Sequence, residues 1–167
     1  MKFGFVTLAL LLAAGTTCAQ DREAFQNQSS TAEPAPSANE LKAKEHVERA
    51  QGLLQKKNEK KKLDKAMSEL REALRLDPKS ADAHHALGFV LLLEGEAKQA
   101  IAEYREALHL KPDYPGAIHN QLATALAANG DLDGAIAEMR EALRLKPDDA
   151  VAHTNLGSYF RDEERLG

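Results

Sequence analysis

Apolar and small side chains recur along the second half of the chain at the spacing of one helix face. Ala100, Tyr104, Ala107 and Leu108 follow one another at intervals of four, three and one, which places them on the same side of an α-helix. Polar and charged residues fill most of the positions between them. The pattern therefore predicts amphipathic helices, each with one face to bury.

Glycines and prolines divide this pattern into pairs of helices. Gly95 and Gly130 interrupt the pattern between two helical stretches, where a left-handed residue commonly ends a helix. Pro78, Pro112 and Pro147 follow the second stretch of each pair, and proline cannot continue a helix. The Asp or Ser residues that follow these prolines are suited to cap the next helix. We therefore predict that each glycine ends a first helix and that each proline stops a second one.

The helix pairs repeat nearly the same sequence. Ala73–Pro78, Ala107–Pro112 and Ala142–Pro147 differ at only two of their six positions, and their prolines lie 34 and 35 residues apart. A fixed period of this length is typical of a solenoid. Because one helix pair cannot bury its own apolar face, successive pairs stack. The predicted fold is all-α, a solenoid of about three antiparallel helix pairs plus a terminal helix.

These small residues and prolines resemble those of the tetratricopeptide repeat (TPR) family. In residues 81–114 the family's signature places are occupied in order by Ala83, Leu87, Gly88, Leu91, Gly95, Ala100, Tyr104, Ala107 and Pro112. Residues 115–149 match at Leu122, Ala123, Leu126, Gly130, Ala135, Met139, Ala142 and Pro147. The resemblance covers about residues 40–163 and implies a right-handed stack. We interpret the chain as a TPR protein of a bacterial exported type.

Composition and repeat register divide the chain into six predicted parts. In chain order they are a signal peptide (1–19), a disordered spacer (20–38), a divergent first repeat (39–78), two repeats (79–114 and 115–149) and a terminal half-repeat or capping helix (150–167). The first helix of the divergent repeat, about Glu40–Lys57, matches the family only loosely, and the turn after it lacks the family's glycine. The spacer contains too few apolar residues to offset the entropy of ordering.

The first residues predict export. Phe3–Ala14 is an apolar run after Lys2, which suits a signal-peptide core and is shorter than the ~20 residues of a membrane-spanning helix. Small residues precede an expected cleavage before Gln20. We expect a periplasmic or secreted protein. A lipoprotein anchored through Cys18 is the less favoured alternative, because the three residues before it depart from a Leu-Ala-Gly box.

No motif of an enzyme is present. The sequence lacks GxGxxG, GxxxxGK[ST], HExxH and GxSxG, the patterns that position phosphate, zinc or an activated serine. Cys18 is expected to leave with the signal peptide. Glu103, Glu106, Glu138 and Glu141 fall on places that we expect to face solvent. We therefore expect no catalytic site and no cofactor.

Three histidines recur with the repeat. His84, His119 and His153 lie 35 and 34 residues apart, at a place where the family often has a bulky aromatic residue. Equivalent residues of successive repeats are about one helix diameter, ~10 Å, apart, which is too far to share a metal ion. We interpret them as packing residues and expect no metal site; a response to pH is the functional alternative. His46 and His109 have no partner in the pattern.

Charge gives limited information about partners. The formal net charge is −4, which gives no reason to expect nucleic acid. The segment Lys56–Lys65 holds six lysines against Glu59 and Asp64. A solvated loop is the favoured interpretation, and peripheral contact with an anionic membrane surface or an acidic partner is the alternative.

The TPR resemblance implies a binding groove. In this family the first helices of the pairs line a concave surface that binds extended or helical peptides. Carrying over those places gives a predicted peptide-binding site of Asp82, His85, Phe89, Leu92, Leu93, Asn120, Gln121, Thr124, Thr154, Asn155, Ser158 and Arg161.

Two alternatives concern individual groove residues. Gln121 and Asn155 resemble rungs of the amide ladder in O-linked N-acetylglucosamine transferases, where amides hold peptide backbone, but amides here could equally tie adjacent helices. Phe89 either lines the groove or packs beneath the first helix.

The expected function is that of a non-enzymatic, exported adaptor or scaffold that binds a protein or peptide in this groove. The alternative is a structural or accessory subunit of an envelope complex that acts through its ends. Leu156, Tyr159 and Phe160 on the last helix leave apolar surface, so self-association through that helix and a longer repeat array are also open.

Overall fold

The structure is a computed structural model that describes residues 35–54, 60–114 and 116–166, with side chains described as far as 162. This part of the chain contains seven α-helices and no strand. They are α1 (Ala38–Leu54), α2 (Lys60–Leu76), α3 (Ala81–Leu93), α4 (Ala97–Leu110), α5 (Ala117–Ala128), α6 (Leu132–Leu145) and α7 (Ala150–Leu166). None of these helices is long and apolar enough to cross a membrane. The predicted signal peptide, most of the spacer and residues 55–59 lie outside the described residues.

Consecutive helices pack as hairpins. The contacts are most extensive within α1–α2, α3–α4 and α5–α6, and α7 packs against α6. Contacts between hairpins join α2 to α3 and α4 to α5, and the first helices α1, α3 and α5 also touch their neighbours. The predicted all-α solenoid of stacked helix pairs is confirmed.

Polar side chains cap the N-termini of several helices. Ser37 and Glu40 form a capping box, in which the Glu40 N–H donates to Ser37 Oγ (3.2 Å) and the Ser37 N–H donates to Glu40 Oε2 (2.6 Å). This reciprocal pair satisfies two backbone donors, and it starts α1 two residues before the expected position. Ser80 and Asp149, which follow the repeat prolines, accept bonds from the first turns of α3 and α7.

Glycine ends the first helices as predicted. Gly95 and Gly130 have φ angles of 83° and 85°, a region that side chains with a Cβ disfavour. After α3, the Gly95 N–H donates to the Leu92 carbonyl (3.1 Å) and the Glu96 N–H donates to the Leu91 carbonyl (2.9 Å). This is a Schellman motif, and it turns the chain toward the second helix of the hairpin.

The core depends on small residues that admit one larger ring. A Cβ atom built on Gly88 would lie 2.8 Å from two ring carbons of Tyr104, so the Tyr104 ring fills the space that this glycine leaves; we call this space the Gly88 notch. Ala100 and Ala107, one turn on either side of Tyr104, are fully buried. The hydroxyl of Tyr104 is buried without a hydrogen-bond partner in the described part of the molecule.

The turn before α5 is longer than its counterparts. The helices α3 and α7 begin three residues after Pro78 and Pro147, whereas α5 begins five residues after Pro112. Gly116 precedes α5 and offers no side-chain cap. The longer turn carries Tyr114, which lies against α3.

Candidate peptide-binding groove

A cavity of about 270 Å³ lies where the first helices of three hairpins meet. Its lining comes from α1, α3 and α5, and consists of Gln51, Leu54, His85, Ala86, Phe89 and Gln121. Phe89, Leu54 and Ala86 make it largely apolar, while two amides and one imidazole provide its polar groups. The structure therefore brings His85, Phe89 and Gln121 of the predicted site together, and it adds two residues from α1.

A chain of hydrogen bonds crosses this part of the groove. His85 Nε2 lies 2.6 Å from Gln121 Oε1; because a carbonyl oxygen only accepts, the imidazole is the donor. The Tyr114 hydroxyl donates to Asp82 Oδ1 (2.6 Å) and lies 3.2 Å from His85 Nδ1. The rings of His85 and Tyr114 also meet edge to face, with centroids 5.1 Å apart. These contacts fix the imidazole on both sides.

Tyr114 acts as a neutral donor in this network. Burial raises the pKa of its hydroxyl well above the ordinary range, and the hydrogen bond to the Asp82 carboxylate raises the pKa further. Both effects disfavour the phenolate. The hydroxyl therefore keeps its proton, and with it the bond to Asp82, at any pH near neutrality.

A second amide contact joins the last helix to the groove. Asn155 Nδ2 donates to Asn120 Oδ1 (3.0 Å), which connects α7 to α5. The Gln121 carbonyl oxygen is likewise engaged by His85. The structure thus shows both amides making bonds between neighbouring first helices. The Gln121 amide nitrogen has no hydrogen-bond partner within residues 35–54, 60–114 and 116–162.

The other predicted site residues do not line the cavity. The hydroxyls of Thr124, Thr154 and Ser158 donate to carbonyls four residues earlier in their own helices. Arg161 donates to Ser158 Oγ (3.3 Å). These polar groups therefore bond to residues of their own helices.

Three further predicted residues have other surroundings. Leu92 is half-buried against the core, and Leu93 is exposed. Asp82 lines a different cavity, of about 310 Å³, together with α1 residues that include Lys44 and Val47. The peptide-binding role of the predicted set remains a prediction.

Comparison with known proteins shows the family. One family model, described as TPR repeat, matches residues 56–95, and another, described as tetratricopeptide repeat, matches residues 91–157. Together they span more than half of the chain. The chain belongs to the tetratricopeptide repeat family.

Curated relatives match this TPR chain over short segments. It is 44% identical over 63 residues to the type IV pilus assembly protein PilF of Pseudomonas aeruginosa, covering 38% of this chain and 23% of that protein. It is 40% identical over 55 residues to the probable biofilm formation methyltransferase WspC of Pseudomonas putida, covering 33% of this chain and 13% of that protein. The matches thus span less than a quarter of either relative.

A solved structure agrees on the fold. The first TPR of Spaghetti (RPAP3), bound to an HSP90 peptide, superposes with a TM-score of 0.69 at 17% identity. The match covers 75% of this chain and 95% of that one. At this identity the similarity shows the TPR fold alone.

Each complete TPR hairpin contains a histidine–glutamate pair. The imidazole Nδ1 of the first helix meets a carboxylate oxygen of the second in His46–Glu69 (2.6 Å), His84–Glu103 (2.7 Å) and His119–Glu138 (2.8 Å). All six side chains are half-buried. These pairs account for two of the recurring histidines, His84 and His119. No group of three metal-binding side chains occurs in the described part of the chain.

One expectation about these residues was wrong. Glu103 and Glu138 do not simply face solvent, because each is half-buried against a histidine. His46, which had no counterpart in the repeat pattern of the sequence, makes the same kind of pair with Glu69. A helix considered alone places these glutamates on its outer side, and only the neighbouring helix supplies the histidine that covers them.

Sequence reasoning also missed groove residues. Tyr114 lies in a turn, where the family's groove positions do not apply, and its only signal is an aromatic residue in an otherwise polar loop. Gln51 and Leu54 were missed because the register of the first repeat is irregular: His46 and Glu69 are separated by 23 residues, against 19 in the next two hairpins. The spacing of the pair would have given the correct register.

Proposed function

We propose that this TPR protein is a non-enzymatic adaptor that binds a peptide segment of a partner protein in its groove. The observation that carries the proposal is the cavity of about 270 Å³, which combines an apolar floor with amide groups at its edge. Concave sites of this kind, apolar with a few placed polar groups, are the usual binding places of proteins. The HSP90 peptide bound to the first TPR of RPAP3 adds support from a protein of the same fold.

The chemistry of the cavity defines the peptide. Phe89, Leu54 and Ala86 offer a place for one apolar side chain, which gains by leaving water. The amide nitrogen of Gln121, which bonds to no described residue, can donate to a peptide carbonyl beside that side chain. Among the described residues of the lining, His85 alone is titratable. The site therefore selects an apolar residue with accessible backbone.

Selection from a random peptide library on the immobilised mature protein tests this proposal. Recovered peptides are expected to share an apolar position. Their dissociation constants, measured by fluorescence anisotropy, should rise at least about tenfold for the groove variant Phe89→Ser, because an apolar contact worth ~1.5–3 kcal/mol is lost. Circular dichroism must show unchanged helicity. Leu145→Ser, at an exposed leucine outside the groove, is the matched control.

The outcomes distinguish peptide binding in the groove from nonspecific binding elsewhere on the protein. Binding that is lost in the groove variant and retained in Leu145→Ser supports the proposal. Equal affinity for all three proteins, or selected peptides that share only acidic residues, contradicts it. A groove variant that unfolds is replaced by Gln121→Ala, which removes the amide and leaves the apolar floor in place.

Export belongs to the same proposal. The apolar run Phe3–Ala14 and the small residues before Gln20 support an exported, periplasmic or secreted protein. Mass spectrometry of the protein from the native host should find an N-terminus at Gln20. A lipidated N-terminus at Cys18 would instead indicate a lipoprotein. Contact of Lys56–Lys65 with an anionic membrane remains a prediction that vesicle sedimentation can test.

A second candidate function is an accessory subunit of an envelope assembly. It is favoured by the exposed Phe160 on α7 and by the name of the relative PilF, a type IV pilus assembly protein. Concentration-dependent association that is abolished by polar replacement of Tyr159 and Phe160 would favour this function over transient peptide binding.

A further inference from the structure

Each first helix of a complete hairpin presents one face to its second helix. In α3 that face contains His84, Leu87, Gly88 and Leu91, three of them buried. His84 bonds through Nδ1 to Glu103 and through Nε2 to the Pro78 carbonyl (3.1 Å). The ring of Tyr104 fills the Gly88 notch.

The last helix α7 carries the same face, and no second helix covers it in the described part of the chain. The equivalent residues are His153, Leu156, Gly157 and Phe160, which we call the open face; Leu156 is half-buried against the core, and the other three are exposed. His153 Nε2 lies 2.8 Å from the Pro147 carbonyl, as His84 does with Pro78, so the ring is held in the same way. No carboxylate meets its Nδ1 among the residues whose side chains are described.

The space beside Gly157 on the open face is also empty. A Cβ atom on Gly157 would meet nothing within 4 Å, whereas one on Gly88 would collide with Tyr104. Phe160 is 37% exposed, although Leu91 at the equivalent place is 4% exposed. Arg140 of α6 lies over the Phe160 ring, 5.7 Å from its centroid. The open face thus keeps the shape and chemistry of a helix-binding surface.

The three complete hairpins define what fits such a face. Their second helices share the sequence Ala-x-x-Glu-apolar-Arg-Glu-Ala at Ala66–Ala73, Ala100–Ala107 and Ala135–Ala142. In each, the first glutamate pairs with the histidine, the apolar residue is buried, and both alanines are almost fully buried. The contacts of the first helix therefore prescribe the pattern Ala-x-x-Glu-apolar-x-x-Ala.

We infer that the open face of α7 binds an α-helix of another protein with the pattern Ala-x-x-Glu-apolar-x-x-Ala. The partner's glutamate pairs with His153, and its apolar residue fills the space beside Gly157. A second copy of this chain is not the occupant, because all three of its helices with this pattern are already packed in their own hairpins. The surface lies apart from the cavity lined by His85 and Phe89, so the inference does not depend on groove binding.

The test uses a peptide with the sequence of Ala97–Leu110, free in solution. A short peptide is only marginally helical in water, so it is stapled between positions 102 and 106, both of which are exposed in the hairpin. Isothermal titration with the full mature protein should give saturable one-to-one binding. A peptide with the change Glu103→Gln should bind about tenfold more weakly, because it lacks the charged partner of His153.

Variants of the protein locate the binding. Gly157→Leu fills the space meant for the apolar residue and should abolish binding. The matched control is Gly52→Leu, at a helical glycine of α1 that also has nothing within 4 Å, and it should leave binding unchanged. Both variants must retain the helicity of the parent protein. If Gly157→Leu is poorly folded, His153→Asn should still lower the affinity for the parent peptide and remove the effect of Glu103→Gln.

Each of the possible results either supports or contradicts the inference. Binding that responds to Gly157, His153 and the peptide glutamate supports it. Absence of binding by the folded protein, or binding unaffected by these changes, overturns it. Sedimentation that shows a dimer dispersed by Gly157→Leu also overturns it, because a second copy would then occupy the face.

Discussion

The hairpin α3–α4 and the terminal helix α7 place similar residues in different environments. His84, Leu87 and Gly88 lie in a first helix that packs against the second helix of its own hairpin, whereas no such helix follows α7, with His153, Leu156 and Gly157, in the described part of the chain. In both places the imidazole bonds to the carbonyl of a proline six residues earlier. The difference teaches that the repeat sequence encodes a face, while burial and pairing come from the helix that covers it. Substitutions at equivalent places should therefore have unequal effects.

The largest difference is expected at the apolar position. Leu91→Ala should lower the free energy of unfolding by about 2–5 kcal/mol, because it leaves a cavity in a packed core. Phe160→Ala should lower it by about 1 kcal/mol or less, since the ring is already 37% exposed. Urea denaturation followed by circular dichroism measures both. Equal losses would mean that α7 is covered after all.

The two glycines should respond with opposite signs. Gly88→Ala places a methyl group 2.8 Å from the Tyr104 ring, and overpacking of about 1–3 kcal/mol outweighs the gain in helix propensity. Gly157→Ala meets nothing and should stabilise the protein by up to about 1 kcal/mol. Thermal melting of the two variants beside the parent protein decides this. A loss of stability in Gly157→Ala would contradict the comparison.

The histidines should differ in their coupling to glutamate. A double-mutant cycle of His84→Asn and Glu103→Gln should give a coupling of about 0.5–1.5 kcal/mol, the usual value of a hydrogen bond between partly buried groups. His153→Asn should show no coupling to Glu138, which pairs with His119. Unfolding free energies at one fixed pH are sufficient. Zero coupling in the complete hairpin would show that the contact between His84 and Glu103 does not stabilise the fold.

The smallest effect concerns the hydroxyl of Tyr104. Tyr104→Phe removes a buried polar atom that has no partner among the described residues and should stabilise the hairpin by up to about 1 kcal/mol. Burial raises the pKa of Tyr104, so the parent protein keeps its stability below about pH 10, where unfolded tyrosine ionises, and loses it above. The variant should lose less in an alkaline denaturation series. An identical alkaline profile would show that the hydroxyl is solvated.

Much of the fold was predictable because glycine and proline have a strong effect on the local backbone conformation. Gly95 and Gly130 adopt positive φ angles that other residues disfavour, and the prolines stop the second helices, so the hairpin boundaries were predictable. The buried alanines follow from the period of the repeat. The start of α1 was misplaced by two residues because the capping box of Ser37 and Glu40 went unrecognised, although its sequence signature is visible.

The candidate site was only partly predictable. His85, Phe89 and Gln121 of the predicted set line one cavity, because the repeat register determines which side of a first helix they share, and their role in peptide binding stays a prediction. Tyr114 was not predicted, because its contact to Asp82 joins residues 32 positions apart through a turn. Such a contact depends on how two hairpins are rotated against each other, and helix periodicity contains no information about that rotation.

Tyr114 has a mechanical consequence for the whole groove. The curvature of a solenoid arises from the small rotation between successive repeats, and the bond from Tyr114 to Asp82 ties the connection before α5 to the preceding hairpin. It therefore acts as a brace that holds the angle between two repeats. Because the hydroxyl stays protonated near neutrality, the brace is constant under physiological conditions. A residue that does not line the cavity thus links two of the hairpins whose first helices do.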